Sequence, residues 1–247
     1  MRQVALDPNS KIRVAATGDL HCREDQHGRF RNFVKHVNEV ADVLLLCGDL
    51  TDRGTPEEAR VLAEDLLAVR IPCVAVLGNH DYEAGASKQV CAELAKANVH
   101  VLDGDHFVHQ KTLGVAGIKG FGGGFGRATL QAFGEGPVKA FVQEGVNESL
   151  KLEAALGQLE TPKKVVMLHY SPILDTCVGE VPEIIPFLGT SRLSYPIDHY
   201  GAAVVFHGHC HFGSREGKTP GGVRVLNVAM PLLAKTTPEQ RFALVEV

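Results

Sequence analysis

The chain has 247 residues, enough for one large α/β domain or two small ones. Hydrophobic residues make up 45% of it and charged residues 22%, which excludes a disordered, collagen-like or polytopic membrane protein. A net charge of −4 leaves no chain-wide basic footprint for a long nucleic acid, while a nucleotide or other small phosphate remains open as a substrate.

The apolar runs are strand-sized, as in Val43 to Cys47, far short of the roughly 18 residues of a membrane helix. The opening MRQVALDPNSKIR lacks the apolar core of a secretory signal, so a cytoplasmic protein without membrane association is expected. Six cysteines (Cys22, Cys47, Cys73, Cys91, Cys177 and Cys210) are scattered without a C-x-x-C pair and read as reduced thiols. Histidine is the unusual count, twelve against no tryptophan.

In chain order, Ile12 to Thr17 reads as a strand ending in Gly18-Asp19-Leu20-His21. Phe30, Phe33, Val34 and Val37 repeat at helical spacing through Val40. Asp42 to Cys47 is continuously apolar, the mark of a strand buried on both faces, and ends in Gly48-Asp49-Leu50-Thr51-Asp52-Arg53-Gly54. Thr55, Pro56 and Glu58 spell an N-cap, a first-turn proline and a capping box. The helix they open carries Leu62, Leu66 and Val69 on its buried stripe. Cys73 to Leu77 is the next strand and runs into Gly78-Asn79-His80-Asp81; Val90, Leu94 and Ala97 mark another helix. Further on, a helix is expected around Asn147 to Leu159. Strands are expected at Leu113 to Ile118, Val165 to Leu168, Ala202 to Phe206, Val223 to Val228 and Phe242 to Val245. Strand followed by helix, repeated, predicts βαβ units with a parallel sheet. The strand-rich second half predicts a second sheet packed on the first, all within one domain over 1–247.

Ligands of open α/β sheets bind beyond the carboxyl ends of strands. Metal-capable residues fall at those ends: Asp19 and His21, Asp49, Asn79 and His80, His169, then His209 and His211. In an extended segment residues i and i+2 face the same way, so Asp19 and His21 should reach one site together, and so should His209 and His211. Carboxylate and amide oxygens mixed with imidazoles, without thiolate, suit Mn²⁺, Fe²⁺ or Zn²⁺. Seven candidate ligands exceed what one ion takes, so two ions sharing a bridging carboxylate are expected. By the same alternation Cys22 and Cys210 face away from the metals as buried, inert thiols.

The series D-x-H (Asp19, His21), G-D-x-x-D-R-G (Gly48 to Gly54), G-N-H-D (Gly78 to Asp81), a lone His169 after a strand, and G-H-x-H (Gly208 to His211) resembles the calcineurin-like metallophosphoesterase family. The motifs stand in family order over residues 19 to 211. The resemblance implies a four-layer αββα sandwich of two mixed sheets flanked by helices, with two divalent ions (Mn²⁺, Fe²⁺/Fe³⁺ or Zn²⁺) at the strand ends. It assigns Asp19, His21, Asp49 and His211 to the first metal, and Asn79, His169 and His209 to the second, with Asp49 bridging. A water activated between the ions would attack phosphorus in line, and His80, off the metals, would protonate the leaving group. The family motif pairs Asp52 with His80 to fix its tautomer; Asp81 is the alternative. Arg53 would touch phosphate or brace its loop.

His207 reads equally as a packing residue or a support to the site. His27, His36, His100, His106, His109 and His199 match no motif and read as surface or loop residues. The stretch Gly120 to Gly126 lacks the G-K-[ST] ending of a P-loop; it reads as a surface loop or as a loop leaning over substrate. The expected function is hydrolysis of a small phosphomonoester or phosphodiester. The competing class is a catalytically silent scaffold of the same fold, which typically loses the His80 position or a ligand; this chain retains every one.

Overall fold

The computed structural model describes residues 11–247; residues 1–10, most of the segment read above for a leader, lie outside them. A first sheet contains β1 (Arg13–Thr17), β2 (Val43–Cys47), β3 (Cys73–Val76) and β4 (Val99–Val101), side by side in that order and all parallel. Parallel neighbours need crossovers, supplied by α1 (Arg31–Val40), α2 (Pro56–Leu66) and α3 (Ser87–Ala95). The second sheet comprises β5 (Asp105–His109), β6 (Leu113–Ile118), β7 (Lys163–Leu168), β8 (Val204–His207), β9 (Glu216–Lys218) and β10 (Arg224–Asn227). Its order is β5-β6-β7-β8-β10-β9, parallel in the middle with an antiparallel strand at each edge. The last strand, β11 (Ala243–Glu246), closes the first sheet antiparallel to β1.

The strands read as unbroken apolar runs because both faces are covered. On the first sheet Val14, Ala16, Val43, Leu45, Val74 and Val76 face the second sheet and meet Val115, Val165, Met167 and Phe206. The alternate residues Ala15, Leu44, Leu46 and Ala75 face α1 to α3. On the far side, Ala116, Ile118, Val166, Leu168 and Val205 pack against Leu152, Ala155 and Leu156 of α4 (Gly136–Gly157) and Ile197 of α6 (Ser194–Tyr200). The result is the four-layer αββα sandwich. Two shorter helices, α5 (Ile185–Leu188) and α7 (Met230–Thr236), sit in loops near the strand ends.

Thr55 accepts from Glu58 N while the Glu58 carboxylate returns to Thr55 N, so the expected capping box opens α2. Three short strands, β4, β5 and β9, escape the sequence pattern, since each is an edge strand with little apolar alternation. His100 lies on β4 and His106 and His109 on β5, so these three belong to strands and not to loops. α4 starts eleven residues before the expected Asn147. Residues 130–140 are almost all exposed, so its first turns carry no apolar stripe to be read.

Candidate functional site

The carboxyl ends of β1, β2, β3, β7 and β8 converge, and the loops that leave them are tied to one another before any side-chain chemistry is considered. Asp19 N, His21 N and Cys22 N donate to the carbonyls of Gly48, Asp49 and Leu50 at 2.8–3.0 Å, pairing the first two loops. The buried Asp81 carboxylate fastens the third: it accepts from Gly78 N, Leu50 N, Thr51 N and Thr51 Oγ1. Gly48, at φ +82°, lets the His169 ring approach so closely that a Cβ there would fall 2.5 Å from Nδ1.

The sharp exits from the strands put Asp19, His21, Asp49 and His209 at φ of 43–68°, the left-handed region that costs a non-glycine residue of order 1–3 kcal/mol. The extended alternation expected of D-x-H and H-x-H therefore does not operate here. Asp19, His21 and His211 converge in one cluster, while His209 turns away from His211 to join Asp49 and His169 in another. Within each cluster the potential ligand atoms lie within 4.8 Å of one another. Asp49 reaches both: Oδ2 is 3.9 Å from His21 Nε2, and Oδ1 is 3.4 Å from His169 Nε2. Asn79 Oδ1 is 2.9 Å from the same His169 nitrogen. The Asp19 carboxylate accepts from His211 Nε2 at 2.9 Å and from His209 N at 3.0 Å.

Two features fit these residues to divalent cations. The His21 Nε2 atom is buried and has no hydrogen-bond partner among the described residues, an arrangement that is costly unless something fills it. His169 donates Nδ1–H to the Cys47 carbonyl at 3.0 Å, so its Nε2 lone pair faces two oxygens. Only a proton or a metal cation makes that favourable. The electrostatics agree. Burial works against the charged forms, yet the Asp49 charge and hydrogen bond raise His169 to about 9, and the pair holds Asp49 well below the usual carboxylate range. Burial lowers His21, and lowers His209 to about 3, favouring the neutral rings that ligands need, whereas at His211 burial is outweighed by the Asp19 hydrogen bond and charge, which raise it.

His80 forms a third such group with His21 and Asp49, its ring centre 4.6 Å from that of His21. Its Nδ1–H donates to a carbonyl, the main-chain oxygen of Asp52, at 2.6 Å. The Asp52 side chain, expected to hold His80, instead faces His21 Nδ1 at 3.6 Å and Arg23 Nε at 3.0 Å. Asp81, the alternative, is consumed by the loop contacts above. Arg53 is exposed and its main-chain N–H donates to Glu58. His207 is fully buried, bonded to Thr176 Oγ1 and the Gly208 carbonyl, which makes it a packing residue. Cys22 and Cys210 are buried; burial pushes the Cys22 thiol up to about 12, and Cys210 Sγ rests 3.4 Å from Cys177 Sγ.

The Gly120–Gly126 stretch is not the surface loop that was one of the two expectations. Gly122 to Phe125 are buried, and Gly123 N and Gly124 N donate to the carbonyls of Pro186 and Gly189. Phe121 there packs on Tyr170, whose ring lies 4.5 Å from that of His209. Tyr170 and three arginines near His21 (Arg23, Arg29 and Arg241) lay outside every sequence motif; Tyr170 and Arg23 lie beside motif residues in the chain, while folding brings Arg241 to the site.

The family described as calcineurin-like phosphoesterase matches residues 12–213. A probable glycerophosphodiester phosphodiesterase, GpdQ, of Arcobacter nitrofigilis is 33% identical over 76 residues, 29% of this chain and 28% of that protein; the match thus spans under a third of its length. Among solved structures, phosphopantetheinyl hydrolase of Mycobacterium tuberculosis superposes with a TM-score of 0.65 at 16% identity, covering 94% of this chain and 95% of that one. GAP50 of Plasmodium, described as the anchor in the inner membrane complex, gives 0.54 at 13% identity, covering 90% and 72%. At such identities the structural likeness is one of fold.

Proposed function

The chain belongs to the calcineurin-like phosphoesterase family, and on that premise we propose that it hydrolyses phosphate esters of small molecules with two divalent cations. The observation that carries this reading is the shared carboxylate of Asp49, whose two oxygens face different donor clusters. Asp19, His21, Asp49 and His211 would hold one cation, and Asp49, Asn79, His169 and His209 the other. Mn²⁺, Fe²⁺/Fe³⁺ and Zn²⁺ all suit this mixed nitrogen and oxygen set. Cations so held supply Lewis-acid polarisation of the phosphoryl group and activate water as the nucleophile.

The chain's own residues do the rest. His80, its Nδ1–H anchored on the Asp52 carbonyl, keeps Nε2 for proton exchange with the leaving oxygen. The buried Asp81 keeps the Asp49 and Asn79 loops in register.

The test is hydrolysis of bis-p-nitrophenyl phosphate and p-nitrophenyl phosphate by metal-stripped protein reloaded with Mn²⁺. Diester cleavage in excess marks a phosphodiesterase, and monoester cleavage in excess a phosphatase. Two bound metals with no turnover of either ester would sink the reading in favour of a scaffold.

A further inference from the structure

We propose that the cleft beside His21, His80 and His211 binds a second phosphoryl group of the substrate, so that the natural ester carries a phosphate besides the one cleaved. This deepens, and rests on, the phosphoesterase reading above. The cleft measures about 620 Å³ and is lined by His21, His80 and His211 together with Arg23, Arg29 and Arg241; ligand pockets run from about 300 to 1,000 Å³. A second hollow of about 320 Å³ adjoins it and shares Arg29 and Arg241.

The three arginines come from two separate segments, Arg23 and Arg29 from that between β1 and α1 and Arg241 from the turn before β11. Their meeting at the site is a product of the fold and not of a local basic run. Arg23 is spoken for by Asp52. Among the described residues Arg29 and Arg241 form no ion pair with a carboxylate, yet both are held. Arg29 donates through Nη1 to the side chain of Gln26, and its guanidinium lies 5.2 Å from the centre of the Phe30 ring. Arg241 donates Nε–H to the Pro238 carbonyl at 3.4 Å, and its own carbonyl accepts from Thr17 Oγ1 at 3.2 Å. Each guanidinium has five donors, so most remain free for a ligand.

The carboxylates facing the cleft are already engaged, Asp19 by His211 and Asp52 by Arg23; Glu239 faces only the adjoining hollow. Two free guanidinium charges match the charge of about −1.5 to −2 on a phosphate monoester, and their planar forks match its oxygens. Met230 and Pro231 of α7, with Ala234, give the cleft an apolar floor for the part of the molecule that joins the two phosphates.

Calorimetric titration with thymidine 5′-phosphate and thymidine 3′,5′-bisphosphate tests this on Mn²⁺-reloaded protein. The wild type should bind the bisphosphate about tenfold more tightly or better, the scale of one charge-assisted contact set. Arg29→Gln/Arg241→Gln should shrink that ratio to below about twofold. The control Arg60→Gln, an exposed arginine on α2, should keep it, and matching melting curves would show that both variants are folded. Equal affinities on the wild type, or a ratio that survives in the double variant, would overturn the proposal. Hydrolysis of bis-p-nitrophenyl phosphate by the same samples separates the two ideas. Turnover without the affinity ratio sinks the cleft alone; the ratio without turnover sinks the phosphoesterase reading and leaves the cleft standing.

Discussion

The two donor clusters share Asp49 but are built differently. The cluster of Asp49, His169 and His209 lies at the back: His169 is fully buried, its Nδ1–H bonded to Cys47 O and its Nε2 2.9 Å from Asn79 Oδ1. The cluster of Asp19, His21 and His211 lies at the rim, where the side chains of His21 and His211 are 19% and 30% exposed and one His21 nitrogen has no hydrogen-bond partner among the described residues. The back half is held in position by core strands before any cation arrives. The rim half opens onto the arginine-lined cleft and depends on its ligand to be complete. Rigidity is thus concentrated where the carboxylate is shared, and openness where substrate must enter.

The sharpest challenge to this contrast is removal of the shared group. Asp49→Ala should empty both clusters; metal analysis that still finds two ions would refute the shared role. Next comes a matched pair. His169→Ala should lose one metal equivalent together with about 2–4 kcal/mol, because a buried ring leaves a hole. His21→Ala should lose one equivalent for less than about 1 kcal/mol, since it stands at the rim. Equal stability losses in urea melts would erase the distinction between back and rim.

His80→Ala should retain both metals while turnover of alkyl esters, whose leaving groups need a proton, falls by about 10²–10⁴; p-nitrophenyl esters should suffer much less. Asp52→Ala sharpens this further. Because a main-chain carbonyl holds His80, the loss should stay below the roughly 10–100-fold typical of a removed carboxylate partner, and a larger loss would return that role to the side chain.

The smallest effect is expected far from both clusters, where Arg13 donates three hydrogen bonds to Asp42. The Arg13 hydrogen bond and charge hold the Asp42 carboxyl below its ordinary 3.8, so the pair stabilises the fold above that pH and ceases to as pH falls through the lowered value. Asp42→Asn should therefore cost about 0.5–1 kcal/mol at pH 7, within the range of a partly exposed ion pair. The gap between variant and wild-type melting temperatures should close toward pH 3.

Much of this was legible before folding. The two-faced apolar runs of β2 and β6, the Thr55–Glu58 capping box and the order of polar clusters at strand ends are local signals, each encoded in a few adjacent residues. What failed did so for identifiable reasons. The i+2 alternation assumes extended backbone: Asp19 and His21 reach one cluster as expected, although both lie at positive φ, but His209, also at positive φ, parts from His211. The Gly120–Gly126 stretch has the composition of an exposed loop but is pinned beneath the 186–189 segment by hydrogen bonds from residues more than sixty positions away. The Asp52 side chain fitted its motif, yet the atom that meets His80 is its carbonyl.

The order of residue types along the chain was therefore enough to expect two packed sheets and to pick out the side chains at their strand ends, because periodicity and strand-end position are properties of neighbours in sequence; the four layers came from the family resemblance. Which oxygen of Asp49 faces which histidine, where His209 parts from His211, and that Arg29 and Arg241 share a cleft were decided by the tertiary structure. Those relations join loops up to some two hundred residues apart, and no local pattern fixes distances across them; only the packing of two sheets brings the loops to one edge.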